Sequence, residues 1–248
     1  MTPYEARLVR LSAWSCFLFI LLFGVFWGVL GRNIPPYPPD MPAADLAAVY
    51  RAHAATLRIG FSVGAVSCAF LATWAIGLFR IMLKIERDGQ ILSYVQLVGG
   101  VLTVIFTTYT CTILLAAAFR PEQDPAQIRM LFDLAWLTLD LGFGVTTMQY
   151  IAFGVVAIGD EREKPLFPKW LAWLGIWVSL EFLVEIIMPY FRTGPFSWLG
   201  MFPYWLAFFG PFAWMTSVAV WMLKAADRLE AEYASENAPR APRPQTTI

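Results

Sequence analysis

The sequence predicts an all-α, polytopic integral membrane helix bundle with about six transmembrane helices and both termini cytoplasmic. Three observations carry that prediction. Of the 248 residues, 58% are hydrophobic and only 15% charged, where a soluble domain carries roughly 25%. The mean hydropathy is +0.59. Six apolar stretches are long enough to cross a ~30 Å hydrocarbon core, which takes ~20 helical residues.

These stretches run over 11–31, 57–82, 91–119, 130–158, 170–190 and 201–224. The first starts close to Met1 and is followed by no small-residue cleavage site, so it reads as a retained anchor. Pro35-Pro36-Tyr37-Pro38-Pro39 follows as a stiff, extended loop without backbone donors. Ala43 to Leu57 then reads as a short helix leading into the second span. The third and fourth spans are long enough to tilt or to protrude from the bilayer. Pro189, Pro195, Pro203 and Pro211 interrupt or bound the last two, and the alternative there is a re-entrant or interfacial turn over 191–204. Residues 1–233 form a single transmembrane domain, and 234–248 a polar, proline-containing, disordered cytoplasmic tail. Gly24 and Gly28, and Gly60 and Gly64, have the four-residue spacing that lets helices pack closely.

Lys and Arg set the orientation. With the N-terminus inside, Arg7, Arg10, Arg80, Lys84, Arg87, Arg162, Lys164, Lys169, Lys224, Arg228, Arg240 and Arg243 are cytoplasmic. Arg32, Arg51, Arg58, Arg120, Arg129 and Arg192 lie opposite, a ratio of twelve to six. The expected location is the cell membrane, with multiple passes.

Composition also excludes chemistry. Net charge is zero, so nothing points to nucleic acid. The single histidine, His53, cannot build a histidine-rich di-iron site or a bis-histidine haem. Lys84, Lys164, Lys169 and Lys224 sit at or beyond span ends, which argues against a deep Schiff base. Cys16, Cys68 and Cys111 share no metal-binding spacing and read as small core residues.

The informative residues are four carboxylates inside apolar spans: Asp133 and Asp140 in the fourth, Glu181 and Glu185 in the fifth. A charge near the bilayer centre costs at least ~2.5–3.5 kcal/mol, so such groups face a protein interior, a cavity or a partner. By the assigned topology Asp133 lies near the outer end, with Asp140 about 10 Å deeper at ~1.5 Å per residue. Glu181 lies near mid-depth and Glu185 about 6 Å farther outward. Residues seven and four apart share a face of an α-helix, so each pair can point at a common interior.

Asp140 and Glu181 are the candidate proton donors and acceptors, because both read as deep. Asp133, Glu185, Arg58, Tyr109, Thr108, Thr112 and His53 are candidate ligand-binding residues of the outer leaflet. In a low-dielectric pocket the neutral acid is favoured and can donate a proton. With Arg58 close, the charged form survives as a structural clasp.

The leading functional reading is a protein that binds or transports a small or lipophilic molecule through an outward-facing polar pocket, with coupling to protons. The alternative is an intramembrane enzyme, an acid-catalysed isomerase or cyclase whose aromatic faces stabilise positive charge. A second alternative is an accessory subunit of a membrane complex, with partner helices or a second copy of the chain. No metal site is expected from the carboxylates, since no Glu-x-x-His pair is present. Arg51-Ala52-His53, following Leu21-Leu22-Phe23-Gly24-Val25 after a proline-containing loop, resembles the haem-binding region of styrene oxide isomerases over those two short strings. The resemblance implies a haem with His53 as its single axial ligand, and it does not extend to the rest of the chain.

Overall fold

The computed structural model of the chain describes residues 1–87 and 89–238, and every regular element among them is helical. Helix α1 (Pro3–Leu22) opens on a capping box: Glu5 N–H donates to Thr2 Oγ1 at 3.2 Å, and Thr2 N–H donates to Glu5 Oε2 at 3.2 Å. It continues into a wider π-turn segment, Phe23–Leu30. The short α2 (Ala43–Ala52) meets α3 (Ala54–Ile85) at His53, whose backbone breaks the helix. Then come α4 (Ile91–Phe119), α5 (Pro125–Leu141) and α6 (Phe143–Ile158). Helix α7 (Lys169–Glu181) tightens into 3₁₀ turns over Phe182–Ile186 and Met188–Tyr190. A π segment, Met201–Leu206, leads into α8 (Ala207–Glu236).

Six continuous or nearly continuous helical runs are long and apolar enough to cross a membrane: Pro3–Leu30, Ala54–Ile85, Ile91–Phe119, Pro125–Ile158, Lys169–Tyr190 and Met201–Glu236. Each contains most of one stretch expected from the sequence. Of the tail expected from residue 234, Ala234 to Glu236 still belong to α8, and 239–248 lie outside the described residues.

The runs close into a ring. Helix α1 packs on α3, α3 on α4, α4 on α5 and α6, α6 on α7, α7 on α8, and α8 back on α1. Gly60 permits the approach of α3 to the π segment after α1, since a Cβ there would lie 2.6 Å from Phe26 O and 2.8 Å from Gly31 N. Gly99 does the same for α4–α6, where a Cβ would meet Val145 O at 2.6 Å. Gly24, by contrast, has open space around it. Trp27, Trp74, Trp136 and Trp214 are fully buried inside the ring. Trp14, Trp173, Trp177 and Leu21 lie on its outside and are more than half exposed, as a lipid-facing surface requires.

The ends of the bundle are fastened differently. At the terminus-bearing end the Met1 ammonium donates to Leu229 O at 2.9 Å, Arg10 pairs with Asp227 and Glu230, and Arg80 pairs with Glu5. Arg162 pairs with Asp160 and donates to Lys84 O at 2.7 Å. Both described chain ends therefore lie at the same end. At the opposite end the proline loop offers carbonyls and few donors, and side chains meet them. Trp198 Nε1 donates to Tyr37 O at 3.0 Å, Tyr204 Oη to Asn33 O at 2.7 Å, and Arg129 to the carbonyls of Met41 and Pro39.

Candidate functional site

Irregular backbone gathers in one place. Helices α5 and α6 are separated at Gly142, two residues after Asp140, and α7 gives way to a 3₁₀ turn directly after Glu181. Pro189 has no N–H to offer the Glu185 carbonyl, and Pro211 none to offer that of Ala207, so neither helix can keep its regular ladder there. Membrane helices tolerate such breaks where they line a cavity.

A cavity of about 130 Å³ lies at these breaks, and every wall of the ring contributes to it. Phe19 and Phe23 line it from the first run, Thr103, Phe106 and Thr107 from α4, and Trp136, Leu139 and Asp140 from α5. Phe143, Thr146 and Tyr150 follow from α6, Phe182 and Glu185 from the 3₁₀ turn, and Pro203, Tyr204, Phe208, Pro211 and Phe212 from the last run. Asp140 and Glu185 thus share one aromatic chamber. Glu185 is only 3% exposed. Asp140 Oδ2 and Glu185 Oε2 are shut off from solvent and meet no hydrogen-bond donor of the protein.

Above it, toward the proline-loop end, is a polar vestibule of about 450 Å³ lined by Asp40, Arg129, Asp133, Leu137, Met188, Arg192 and Trp198. Arg129 Nε lies 2.8 Å from Asp133 Oδ1, an ion pair without the direction of a good hydrogen bond, and the guanidinium also sits 5.7 Å from the Trp198 ring. Trp198 stacks on Trp136, with centroids 6.3 Å apart and planes 20° apart. The stacked pair therefore stands between the vestibule, which Trp198 lines, and the chamber, which Trp136 lines.

On the other side, a polar seam leaves the chamber between α4 and α6. Thr103 and Thr146 hydroxyls lie 2.9 Å apart. Gln149 follows one turn along, packed across Gly99 and Gly100, and Gln96 one turn further on α4. Both glutamines are buried, and Gln149 Nε2 and both amide atoms of Gln96 have no protein partner. At the surface beyond them, Glu86 caps α4 by accepting from Leu92 N at 3.0 Å and from Ser93 N and Oγ at 2.7 Å each. Burial pushes the Glu86 carboxyl up, but these bonds from Ser93 and Leu92 win and hold it below the usual glutamate range.

The structure redistributes the residues singled out from the sequence. Asp140 lines the chamber, and its companion is Glu185 rather than Glu181. Glu181 lies outside the lining, beside α8, where a Cβ on Gly210 would be 3.2 Å from its Oε2; both its carboxylate oxygens are buried without a partner. The reason is the 3₁₀ turn: at 3.0 residues per turn, side chains four apart no longer share a face. Asp133 belongs to the vestibule. Arg58 is exposed and donates to Ala54 O of its own helix at 3.1 Å, so it clasps none of the acids. Tyr109 and Thr112 are exposed on the outer face of α4, and half-buried Thr108 bonds back to Val104 O at 2.8 Å. Thr103 and Thr107, one turn apart, take their place in the lining; Thr108 and Thr112 have the same four-residue spacing, so spacing alone does not tell the two faces apart.

His53 is half-exposed at the α2–α3 junction and lines neither the chamber nor the vestibule. A haem held there would not be enclosed by the chamber, so the residues present do not fit one inside the bundle. Among the described residues no group of three or more His, Cys, Asp or Glu is placed to hold a metal ion. The three cysteines are buried and free. Gly60-Phe61-Ser62-Val63-Gly64 has the letters of a hydrolase nucleophile elbow, but Ser62 sits exposed within continuous α3 and lacks the strand-to-helix turn that elbow chemistry needs. Comparison with known protein families, curated proteins and solved structures found no match to the chain.

Proposed function

We propose that the protein is a multi-pass membrane carrier that binds a small, largely apolar molecule in the aromatic chamber and exchanges it against protons held by Asp140 and Glu185. One observation supports this above the others. Two carboxylates from two broken helices share one chamber, and an oxygen atom of each lacks any protein donor. Two adjacent anions without a counter-charge repel and are poorly solvated there, so the chamber favours holding a proton or a cation. By the Lys and Arg asymmetry the vestibule faces outward. Ligand then enters past Arg129, Asp133 and Trp198. Protons reach the acids along the Thr103–Thr146, Gln149 and Gln96 seam, whose unpartnered amides suit bridging water.

Two measurements on the protein in lipid nanodiscs and liposomes test the reading. A cavity of ~150 Å³ lined by apolar side chains accommodates benzene, so benzene should raise the melting temperature of the wild type. Ala207→Phe, which fills the chamber, should abolish that rise. Proton flux into liposomes, read with an entrapped pH-sensitive dye, should fall to background in Asp140→Asn or Glu185→Gln. Normal flux in both variants sinks the proton-exchange reading.

The aromatic lining also favours a second reading, the intramembrane isomerase or cyclase, in which a protonated Asp140 or Glu185 starts the reaction and Trp136 or Phe208 faces a developing positive charge. Conversion of a lipophilic alkene or epoxide by the purified wild type, lost in Asp140→Asn, would select it over the carrier.

A further inference from the structure

We infer that the ligand of the chamber is a lipophilic ammonium ion, which makes the exchange one of an organic cation for a proton. The inference rests on the carrier reading and names its substrate class. It follows from what the chamber contains and what it lacks. Asp140 and Glu185 supply two carboxylates, and the 3%-exposed Glu185 presents an oxygen that no protein group satisfies. No Lys, Arg or His stands among the lining residues, so no fixed cation neutralises them. Glu181, on the same helical run as Glu185, has no cation partner either, and Arg129 is already engaged by Asp133, Met41 and Pro39 in the vestibule.

The remaining walls are aromatic faces: Phe106, Trp136, Phe143, Tyr150, Phe208 and Phe212. Aromatic rings attract a cation through their quadrupole, and most strongly where water is excluded. A carboxylate beside them adds a charge-assisted hydrogen bond to any N–H of that cation. An inorganic ion is less well served, because Ca²⁺ or Mg²⁺ needs six or more oxygens and the rings offer none. A carboxylate or phosphate ligand is excluded by like charge. A neutral apolar ligand leaves the two acid oxygens unmet, and a neutral hydroxyl can donate to one of them but supplies no counter-charge. An alkyl- or aryl-ammonium of the chamber's size satisfies acids and rings together.

The ammonium can come from a free amine or from the headgroup of an amine-bearing lipid, and the experiment separates the two. The probes are tert-butylammonium and its neutral isostere tert-butanol, which both partition weakly into lipid. Binding is measured by calorimetry to wild-type protein in phosphatidylglycerol nanodiscs. The expected result is at least ~10-fold tighter binding of the ammonium, from the carboxylate and desolvated rings together. Excess benzene, which fills the same chamber, should compete with it, and this locates the site without any variant. In Asp140→Asn/Glu185→Gln the two isosteres should bind within ~2-fold of each other, while Glu232→Gln, a surface acid paired with Arg228, should keep the preference. Adding phosphatidylethanolamine to the nanodiscs should weaken tert-butylammonium binding if the headgroup is the natural occupant and leave it unchanged if a free amine is; either result upholds ammonium recognition. Equal binding of the isosteres to wild type overturns the inference, as does displacement of the ammonium by equimolar sodium. Benzene binding in that same experiment keeps the chamber reading intact, whereas failure of benzene to bind overturns the reading on which the inference rests.

Discussion

Asp133 and Asp140 stand two turns apart on one face of α5, yet they live in different solvents. Asp133 opens on a vestibule of about 450 Å³, half-buried, with Arg129 at 2.8 Å. Asp140 lines a chamber of about 130 Å³ with Glu185 as its only acidic companion and no cation. The residue type is the same, so the difference in role comes from the surroundings. On the proposed reading, the carboxylate with an Arg partner braces structure and the one without holds a proton or a ligand. The Trp136–Trp198 stack stands between the two environments, one ring lining each.

Removing that partition is the most direct way to break the comparison. Trp136 is 2% exposed and packs against Trp27, Phe132, Trp198 and Tyr204. Trp136→Ala should cost ~3–5 kcal/mol, the range for deleting a buried aromatic. Thermal melting in nanodiscs measures it, with the outward-facing Trp173→Ala within about 0.5 kcal/mol of wild type as the contrast. Equal losses in the two variants would mean that the interior stack does not hold the chamber together.

Neutralising the acids separately sharpens the contrast. Asp140→Asn/Glu185→Gln should lower proton flux by ~100-fold, the low end of what a positioned proton donor contributes, without lowering the melting temperature. No ion pair is lost, because Asp140 and Glu185 make none among the described residues. Asp133→Asn should change flux by less than ~5-fold, consistent with loss of a partly exposed pair. A larger effect from Asp133→Asn than from the double variant would reverse the assignment of roles. Arg129→Met acts on the vestibule alone. It removes the donors to Pro39 and Met41 and the contact with Trp198, and should cost ~2 kcal/mol, as bonds from a charged donor do. Arg129→Lys should restore only part of this, since a single ammonium cannot reach two carbonyls and a carboxylate in one plane.

How much of this was legible in the sequence depends on scale. Hydropathy located all six runs that are long and apolar enough to cross a membrane, because lipid and core demand the same apolar residues; their ends are less legible, and α8 runs on to Glu236, well past the expected 224. The acids were legible as residue types out of place. Their pairing was not. Spacing of four puts Glu181 and Glu185 on one face only of an α-helix, and the backbone tightens into a 3₁₀ turn over Phe182–Ile186, which separates them. Thr108 and Thr112 likewise pointed to the right helix, α4, but lie outside the chamber lining, to which Thr103 and Thr107 belong. Gln96 and Gln149 escaped notice because a glutamine carries no charge to stand out, although in an apolar span an unpartnered amide is nearly as conspicuous energetically.

The smallest effect belongs to the far end of the seam, and it separates bracing from proton traffic there. Glu86 holds the first turn of α4 through Leu92 and Ser93. Burial opposes its charge, but those donors hold the carboxyl below its ordinary range. A carboxyl depressed in the folded state stabilises the fold at pH above its unfolded value, and that contribution is lost as the pH falls through the folded one. Glu86→Gln should therefore cost ~1 kcal/mol near neutrality, the size of a helix cap. It should also flatten the acid limb of the melting profile, because the variant has no proton to gain. If Glu86 only caps the helix, flux through the chamber stays at the wild-type level while the melting temperature drops by ~2–4 °C. If flux falls with a pH profile shifted toward alkaline values, the carboxylate at the mouth of the seam collects protons for Asp140 and Glu185, and the functional site extends from vestibule to inner surface.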